Sequence, residues 1–498
     1  MRAVLLSLTL LIIGSGCSPS AVDKKAAARE EKAVFSAPNY VRALPESISR
    51  RVDEPYKGDL DGMVKRRLIR VAVPFNRTFY FVDKGVQRGF SYEYLKLFED
   101  ELNKKLRSRR LPVDVVLLPF SRDMLLPALK DGRVDMVVAQ LTVTPDRLRT
   151  VDFSRPTRAD IDEIAVSAPG TPAMTAPEQL SGKRVFVRRS SSYYQSLEAL
   201  NNRLAAKRRP PVGIDFAPET LEDDDLLEMV NAGLVPATIV DDYVAKFWKQ
   251  LFPALVLNEA APIRTGDDLA VAIRKNSPQL AAELNEFIQR NGVDSVFGRI
   301  LGKRYLESTK FVTNAESTEN RARFQAMIEL FRKYGAQYRV DYLLMAAQAY
   351  QESRLDQHVR STVGAVGVMQ IMPATGLEQR VGDIRELEPN IHAGVKYMRF
   401  MMSQYFRDEP MDQLNKGLFT FASYNAGPAR IRELRQEAKQ VGLNPNVWFD
   451  NVEQIASDRI GRETVNYVGN IYKYYIAYRL IAQQRDARQA AKSAIKRH

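Results

Sequence analysis

A chain of 498 residues with 45% hydrophobic and 27% charged side chains can bury more than one core, and it is too apolar for a disordered class. Its formal charge of +13 suits an anionic partner such as a phospholipid surface or an acidic wall polymer. Nucleic acid is set aside because no zinc-ligand spacing or aromatic RNA-binding motif appears, and three histidines (His358, His392, His498) with one cysteine do not make a structural metal site.

Residues 1–17 read as a secretory signal: Met1-Arg2 is a short positive start, Val4 to Ile13 an apolar run, and Gly14-Ser15-Gly16 a small-residue stretch before Cys17. The run is too short for a comfortable membrane span. With Cys17 the only cysteine, the segment resembles a bacterial lipoprotein signal, although Gly14 stands where such signals usually carry leucine. That resemblance implies lipidation of Cys17. With Ser18 next rather than aspartate, it also implies the outer membrane of a Gram-negative envelope, facing the periplasm. A plain secreted protein cut near here is the alternative. Residues 18–62 are polar and interrupted by Ala and Pro, and read as a tether.

From Leu68 the pattern alternates strand and helix. Strands are expected at Leu68–Val73, Val113–Leu118 and Val134–Ala139, with helices at Phe90–Leu106 and Met124–Lys130. A second set has strands at Lys183–Val187 and Ala237–Val240, with helices at Tyr193–Ala206 and from Asp242. Such alternation predicts parallel sheets, and two sets in series predict a two-lobed α/β domain over residues 63–305 with a cleft between the lobes. Its last helix runs from Asn276 to Gly292, opened by Ser277-Pro278.

Within this region Asp131-Gly132-Arg133-Val134-Asp135, Thr142-Val143-Thr144-Pro145-Asp146-Arg147 and Val151-Asp152-Phe153-Ser154-Arg155-Pro156 resemble the signature of family 3 solute-binding proteins. The resemblance implies a periplasmic-binding-protein-like fold in which Arg147 grips a ligand carboxylate with its planar fork. Thr142 contacts the same group and Asp241 takes the ligand's ammonium. The expected ligand is an amino acid or a cell-wall peptide. Gln140 and Leu141 stand where the family often has small residues, which reshapes the pocket.

Residues 306–322 have few apolar side chains and read as a connector to a mostly helical domain over 323–498. Helices are expected from Phe324, from Val340, over Pro389–Tyr405, around Leu418–Tyr424 and over Thr464–Leu480. Leu344, Gln348, Glu352 and Leu355 follow at helical spacing, so Glu352 interrupts an apolar stripe. A carboxylate there must be paired, hydrogen-bonded or held protonated, and a held proton is what a general acid needs. Arg354 and Arg360 are the candidate cations for a plain ion pair.

Glu352-Ser353, then Gly367-Val368-Met369-Gln370-Ile371-Met372-Pro373, then Ala422-Ser423-Tyr424-Asn425-Ala426-Gly427-Pro428, and last Glu463-Thr464 with Tyr467-Val468 resemble the ordered motifs of the soluble-lytic-transglycosylase-like catalytic domain. The whole architecture resembles the membrane-bound lytic murein transglycosylase F family: a solute-binding domain followed by a lysozyme-like helical domain. The resemblance implies an enzyme acting on peptidoglycan glycan strands without metal or organic cofactor. Glu352 is its acid, Ser353, Met369 and Gln370 line the sugar groove, Tyr424 and Asn425 position the reacting sugar, and Tyr467 orients Glu352. One acid suffices there because the muramoyl 6-hydroxyl is the nucleophile, whereas most glycoside hydrolases need two carboxylates. Asp356 and Glu463 are better explained as a surface or capping residue and as a helix N-terminal charge. A ligand receptor merely held on peptidoglycan and a lysozyme-like hydrolase are the competing readings.

Overall fold

The computed structural model describes residues 54–83, 86–107, 111–310, 318–407 and 409–495, together with 52 and 312. Cys17, the signal segment and most of the tether therefore lie outside the described residues. Among the described residues no helix is long and apolar enough to cross a membrane.

In chain order the strands are β1 (Leu68–Val73), the antiparallel pair β2 (Phe81–Asp83) and β3 (Val86–Arg88), β4 (Asp114–Pro119), β5 (Met136–Thr142), β6 (Asp152–Phe153), β7 (Arg158–Ser167), β8 (Arg184–Arg188), β9 (Gly213–Ala217), β10 (Ala237–Asp241), β11 (Val256–Leu257) and β12 (Arg264–Ile273). β1 runs parallel to β4 and β5, and β8 parallel to β9, as the alternating pattern predicts. The parallel expectation fails at β7 and β12, which pair antiparallel with each other and with β10 and β5. Both begin on charged residues and are continuously buried only in their second halves, so no apolar run announces them. β5 begins at Met136 rather than Val134. The residue just before it, Asp135, is fully buried, with its carboxylate taken by Arg66, Arg70 and Arg274.

The helices that matter below are α1 (Phe90–Lys105), α2 (Ser192–Ala206), α3 (Asp223–Asn231), α4 (Asp242–Lys249), α5 (Pro278–Asn291), α6 (Thr318–Tyr338), α7 (Tyr342–Ser353), α8 (Leu387–Phe406), α9 (Gln413–Ala426) and α10 (Arg462–Ile495). One core joins β1 and β4 to α1 and α5 through Val71, Leu117, Phe98 and Phe287. On the far side of the β7–β12 crossing, Val166, Leu227, Phe247 and Trp248 pack on one face of β7 and β10, and Val187, Leu197 and Ile239 on the other. These are the two lobes of the α/β part.

In the helical part α7 is buried along Leu343–Tyr350 and packs against α6 and α10. It stops at Ser353, two residues earlier than the stripe to Leu355 implies. Arg354 and Leu355 both adopt positive φ and turn the chain out of the helix. The largest departure is α10, expected to end at Leu480 but continuous to Ile495. Its 34 residues span roughly 50 Å. Lys473 pairs with Glu99 at 2.5 Å and Asp114 at 2.9 Å, while Ala477 and Ile481 enter the first lobe's core. Further on, Arg488 meets Asp224 and Asp225 of α3, and Lys492 meets Asp225 and Glu228.

Candidate active site

Glu352 sits in the last turn of α7, carried there by a helix whose N-cap Asp341 accepts from the Leu343 N–H at 3.0 Å. Neither arginine pairs with it. Arg354 lies over the Tyr350 ring and donates to Tyr474, and Arg360 donates to the Gln357 and Val359 carbonyls. Its one hydrogen-bond partner among the described residues is the Tyr467 hydroxyl of α10, which donates to Oε1. Burial pushes the Glu352 carboxyl up to about 7, with the Tyr467 hydrogen bond opposing. No second carboxylate contributes to that shift. Asp356 is exposed and accepts from the His358 N–H at 2.8 Å, and Glu463 is exposed in the first turn of α10.

The 364–372 loop is held against α7 and α8. Ser353 is buried, and its hydroxyl lies 2.9 Å from the Val368 carbonyl and 3.2 Å from that of Ala349, so it fastens loop to helix instead of facing the groove. The Met369 side chain is also wholly buried, packed where Gly394 leaves room, so the expected groove-lining thioether is core and its main chain serves the site. Gln370, at φ 45°, donates its amide to the Gly367 carbonyl at 2.8 Å and the Val359 carbonyl at 3.3 Å. The loop's bracket is Asn390 of α8, fully buried, which donates to Val366 and Ile384 and accepts from the Met369 N–H, each at 2.8 Å. A Cβ on Gly367, at φ 76°, would fall 2.5 Å from that Asn390 amide. The one signal of Asn390 in the sequence is a polar residue immediately before the Ile391, Val395 stripe.

At the end of α9 the Tyr424 hydroxyl donates to the Met369 and Gln370 carbonyls at 2.9 and 3.2 Å. Burial, and then the nearby Glu352, push Tyr424 well above the ordinary phenol range. Asn425 next to it is exposed, and its Oδ1 accepts from the Thr464 hydroxyl at 2.6 Å. The arrangement brings Glu352, Tyr424 and Tyr467 together from three helices: a half-buried acid that pairs with no cation among the described residues, with the exposed Asn425 amide next to Tyr424 in sequence and held by Thr464 of α10. Chemically, this can donate and take back one proton.

A separate cavity of about 200 Å³ lies in the α/β part, lined by Arg122, Thr142, Arg147, Arg188, Ser190 and Tyr193 among others. Arg122 is tied to Glu222 and Arg188 to Asp223. Arg147 instead donates to the Thr142 carbonyl at 2.7 Å and the Ser190 carbonyl at 3.4 Å, and among the described residues no carboxylate forms an ion pair with it. Burial and the neighbouring Arg122 bring its guanidinium down to about 10. Thr142 is buried, with its hydroxyl 3.2 Å from that of Ser192. Gln140, in the left-handed region at φ 52°, also lines the cavity. Asp241 does not reach it. It is buried behind Tyr193, whose hydroxyl donates to it at 3.2 Å, and burial beside Glu163 and Asp223 pushes its carboxyl well up.

The sequence matches two family models, bacterial extracellular solute-binding proteins, family 3, over residues 69–306, and the transglycosylase SLT domain over residues 329–446. The molecule is thus a family 3 solute-binding domain fused to an SLT domain. Proteins called membrane-bound lytic murein transglycosylase F are similar over most of its length: that of Desulfosudis oleivorans is 28% identical, covering 80% of this chain and 87% of its own. The one from Ectopseudomonas mendocina is also 28% identical, covering 89% and 91%. An ancestral amino acid-binding protein of known structure, a precursor of cyclohexadienyl dehydratase, is 24% identical with a TM-score of 0.41, covering 50% of this chain and 98% of its own. In domain order and over most of its length the chain is similar to these membrane-bound lytic murein transglycosylase F proteins.

Proposed function

We propose that the chain is a peptidoglycan lytic transglycosylase that cleaves the β-1,4 bond between N-acetylmuramic acid and N-acetylglucosamine. Glu352 donates its proton to the leaving glycosidic oxygen as the muramoyl anomeric carbon loses that bond. The resulting carboxylate takes the proton of the muramoyl 6-hydroxyl as its oxygen attacks the same carbon, leaving a 1,6-anhydro end and consuming no water. The observation that carries this is the single acid: Glu352 is half-buried and proton-retentive, and among the described residues no cation pairs with it and no second carboxylate contributes to its shift. Tyr467 holds the acid, and Tyr424 and Asn425 hold the reacting sugar. Ser353, Met369 and Gln370 shape the wall through their backbone and the loop they pin.

The α/β domain, residues 63–305, is the ligand-binding part, joined by the 306–322 connector to the catalytic domain, 323–498. Arg147 and Thr142 hold the carboxylate of an amino acid or cell-wall peptide, and binding shifts the lobes. α10 is the element through which that shift reaches the acid, since it carries Tyr467 and the clamps on both lobes. The family and its murein substrate support a Gram-negative envelope location; lipidated Cys17 would anchor the protein to the outer membrane, facing the periplasm.

The test uses protein lacking residues 1–17, incubated with purified peptidoglycan, with soluble fragments weighed by mass spectrometry. Anhydro-ended fragments that vanish in Glu352→Gln support the reading. Reducing-ended fragments, heavier by one water, would make it a hydrolase, and no fragments would make it a receptor.

A further inference from the structure

Gln348 lies one turn before Glu352 on α7 and is fully buried. Its Nε2 is 3.4 Å from the Tyr467 hydroxyl oxygen, and its Oε1 is buried with no hydrogen-bond partner. A buried amide that leaves one atom orphaned is costly, so it must be explained by what the other atom does. An amide nitrogen can only donate. The Tyr467 oxygen therefore accepts from Gln348, and its single proton is left for Glu352 Oε1. The reverse amide orientation would set two acceptors against one hydroxyl proton.

We infer that Gln348 is a positioning residue: by donating to Tyr467 it fixes the direction of the chain Gln348 to Tyr467 to Glu352, so that the transferable proton of Glu352 rests on Oε2. Oε1 is occupied as an acceptor, whereas Oε2 makes no hydrogen bond among the described residues. Without Gln348 the tyrosine is free to turn its proton away and accept one from Oε1. The acid proton would then sit on the oxygen facing the protein, where it cannot reach a glycosidic bond. Donation by Gln348 also polarises the phenol and strengthens its hold on the ionised carboxylate. The titratable groups facing Glu352 are Tyr467 from α10 and Tyr424 from α9; Arg354 of the same turn faces Tyr350 and Tyr474.

The inference rests on Glu352 being the acid, so wild type and Glu352→Gln are run alongside. Gln348→Met keeps the volume and removes the donor. Its plateau kcat for release of anhydro ends should fall about tenfold with KM within about twofold. Because the ionised acid is then less well held, the alkaline limb of its kcat–pH profile should move up by about half a unit. In a Tyr467→Phe background the same change should have no further effect. A purely packing role would lower the plateau in both backgrounds and leave the limb in place. Gln348→Glu, of the same shape, adds an acceptor for the tyrosine proton and should lose about a hundredfold; it serves if the methionine variant does not fold. Wild-type kcat and limb in the folded variant, or an equal loss in both backgrounds, overturns this inference alone. Wild type that releases no anhydro ends overturns it together with the reading of Glu352.

Discussion

Glu352 should destabilise the fold that holds it, and by an amount that depends on pH. Its carboxyl titrates at about 7 in the fold against an ordinary 4.5. An acid whose folded value is raised contributes its full stability below the unfolded value and loses it as pH rises from there through the folded value. The ionised group above pH 7 thus costs roughly 3 kcal/mol, whereas at pH 5, with the folded state still protonated, it costs less than about 1 kcal/mol. Glu352→Gln removes the titration and keeps the shape. Its stability advantage over wild type should therefore grow by about 2 kcal/mol between pH 5 and pH 8, or about 4–8 °C in the midpoint of a domain of this size. Scanning calorimetry of both proteins across that range reads it directly. A gap that is the same at pH 5 and pH 8 would refute the reasoning, because the carboxyl would then titrate alike in both states and could not hold a proton for catalysis at neutral pH.

Two further outcomes follow from the ion pairs and the cavity. Lys473→Met takes a cation from Glu99 and Asp114; Glu99 keeps Lys96 and the Val115 N–H, so the loss should be about 2–4 kcal/mol, read as faster amide hydrogen exchange along residues 468–481 of α10. Unchanged exchange there would show that the pair contributes nothing net. Arg147→Ala should weaken calorimetric binding of amino acids or cell-wall peptides at least about a hundredfold, with Arg147→Lys only partly restoring it because the fork is lost. Equal binding by all three proteins would move the carboxylate grip elsewhere in the cavity.

What the sequence made legible was local. The β1, β4 and α1 segments are apolar runs or stripes whose partners lie nearby, and the structure has them within a residue or two of their expected bounds. The ordered motifs around Glu352, Tyr424 and Tyr467 predicted their meeting, and one site brings them together. What stayed hidden depends on partners far away in the chain. The second half of α10 reads as polar surface because its arginine and lysine serve acids of α3, 264 residues upstream. β7 and β12 hide behind charged first halves. Asp241 has the residue type for an ammonium site but is screened by Tyr193, which nothing in its own neighbourhood announces. Motif position implies the groove for Ser353 and Met369, whereas packing directs one to a carbonyl and the other into the core.

α10 gives the regulatory reading its physical content. One unbroken helix carries the donor to Glu352, a cation buried against the first lobe and two cations clamped on the second. The clamps are not interchangeable with solvent: Asp225 and Asp224 are buried, and an ion pair of this kind is expensive to break because it strands a desolvated charge. If the lobes rotate about β7 and β12 on binding ligand, a rigid helix cannot follow both. One clamp must then slide or part, and whichever holds takes the helix with it. Tyr467 is near the start of α10, close to Lys473, so motion of the first lobe acts on the acid through a short lever and motion of the second through a long one. The hydroxyl bonded to Glu352 need move by only about an ångström to lose its hydrogen bond, since such bonds fail over that distance. On the proposed regulation, a small lobe rotation would loosen the hold of Tyr467 on Glu352 without any ligand approaching it.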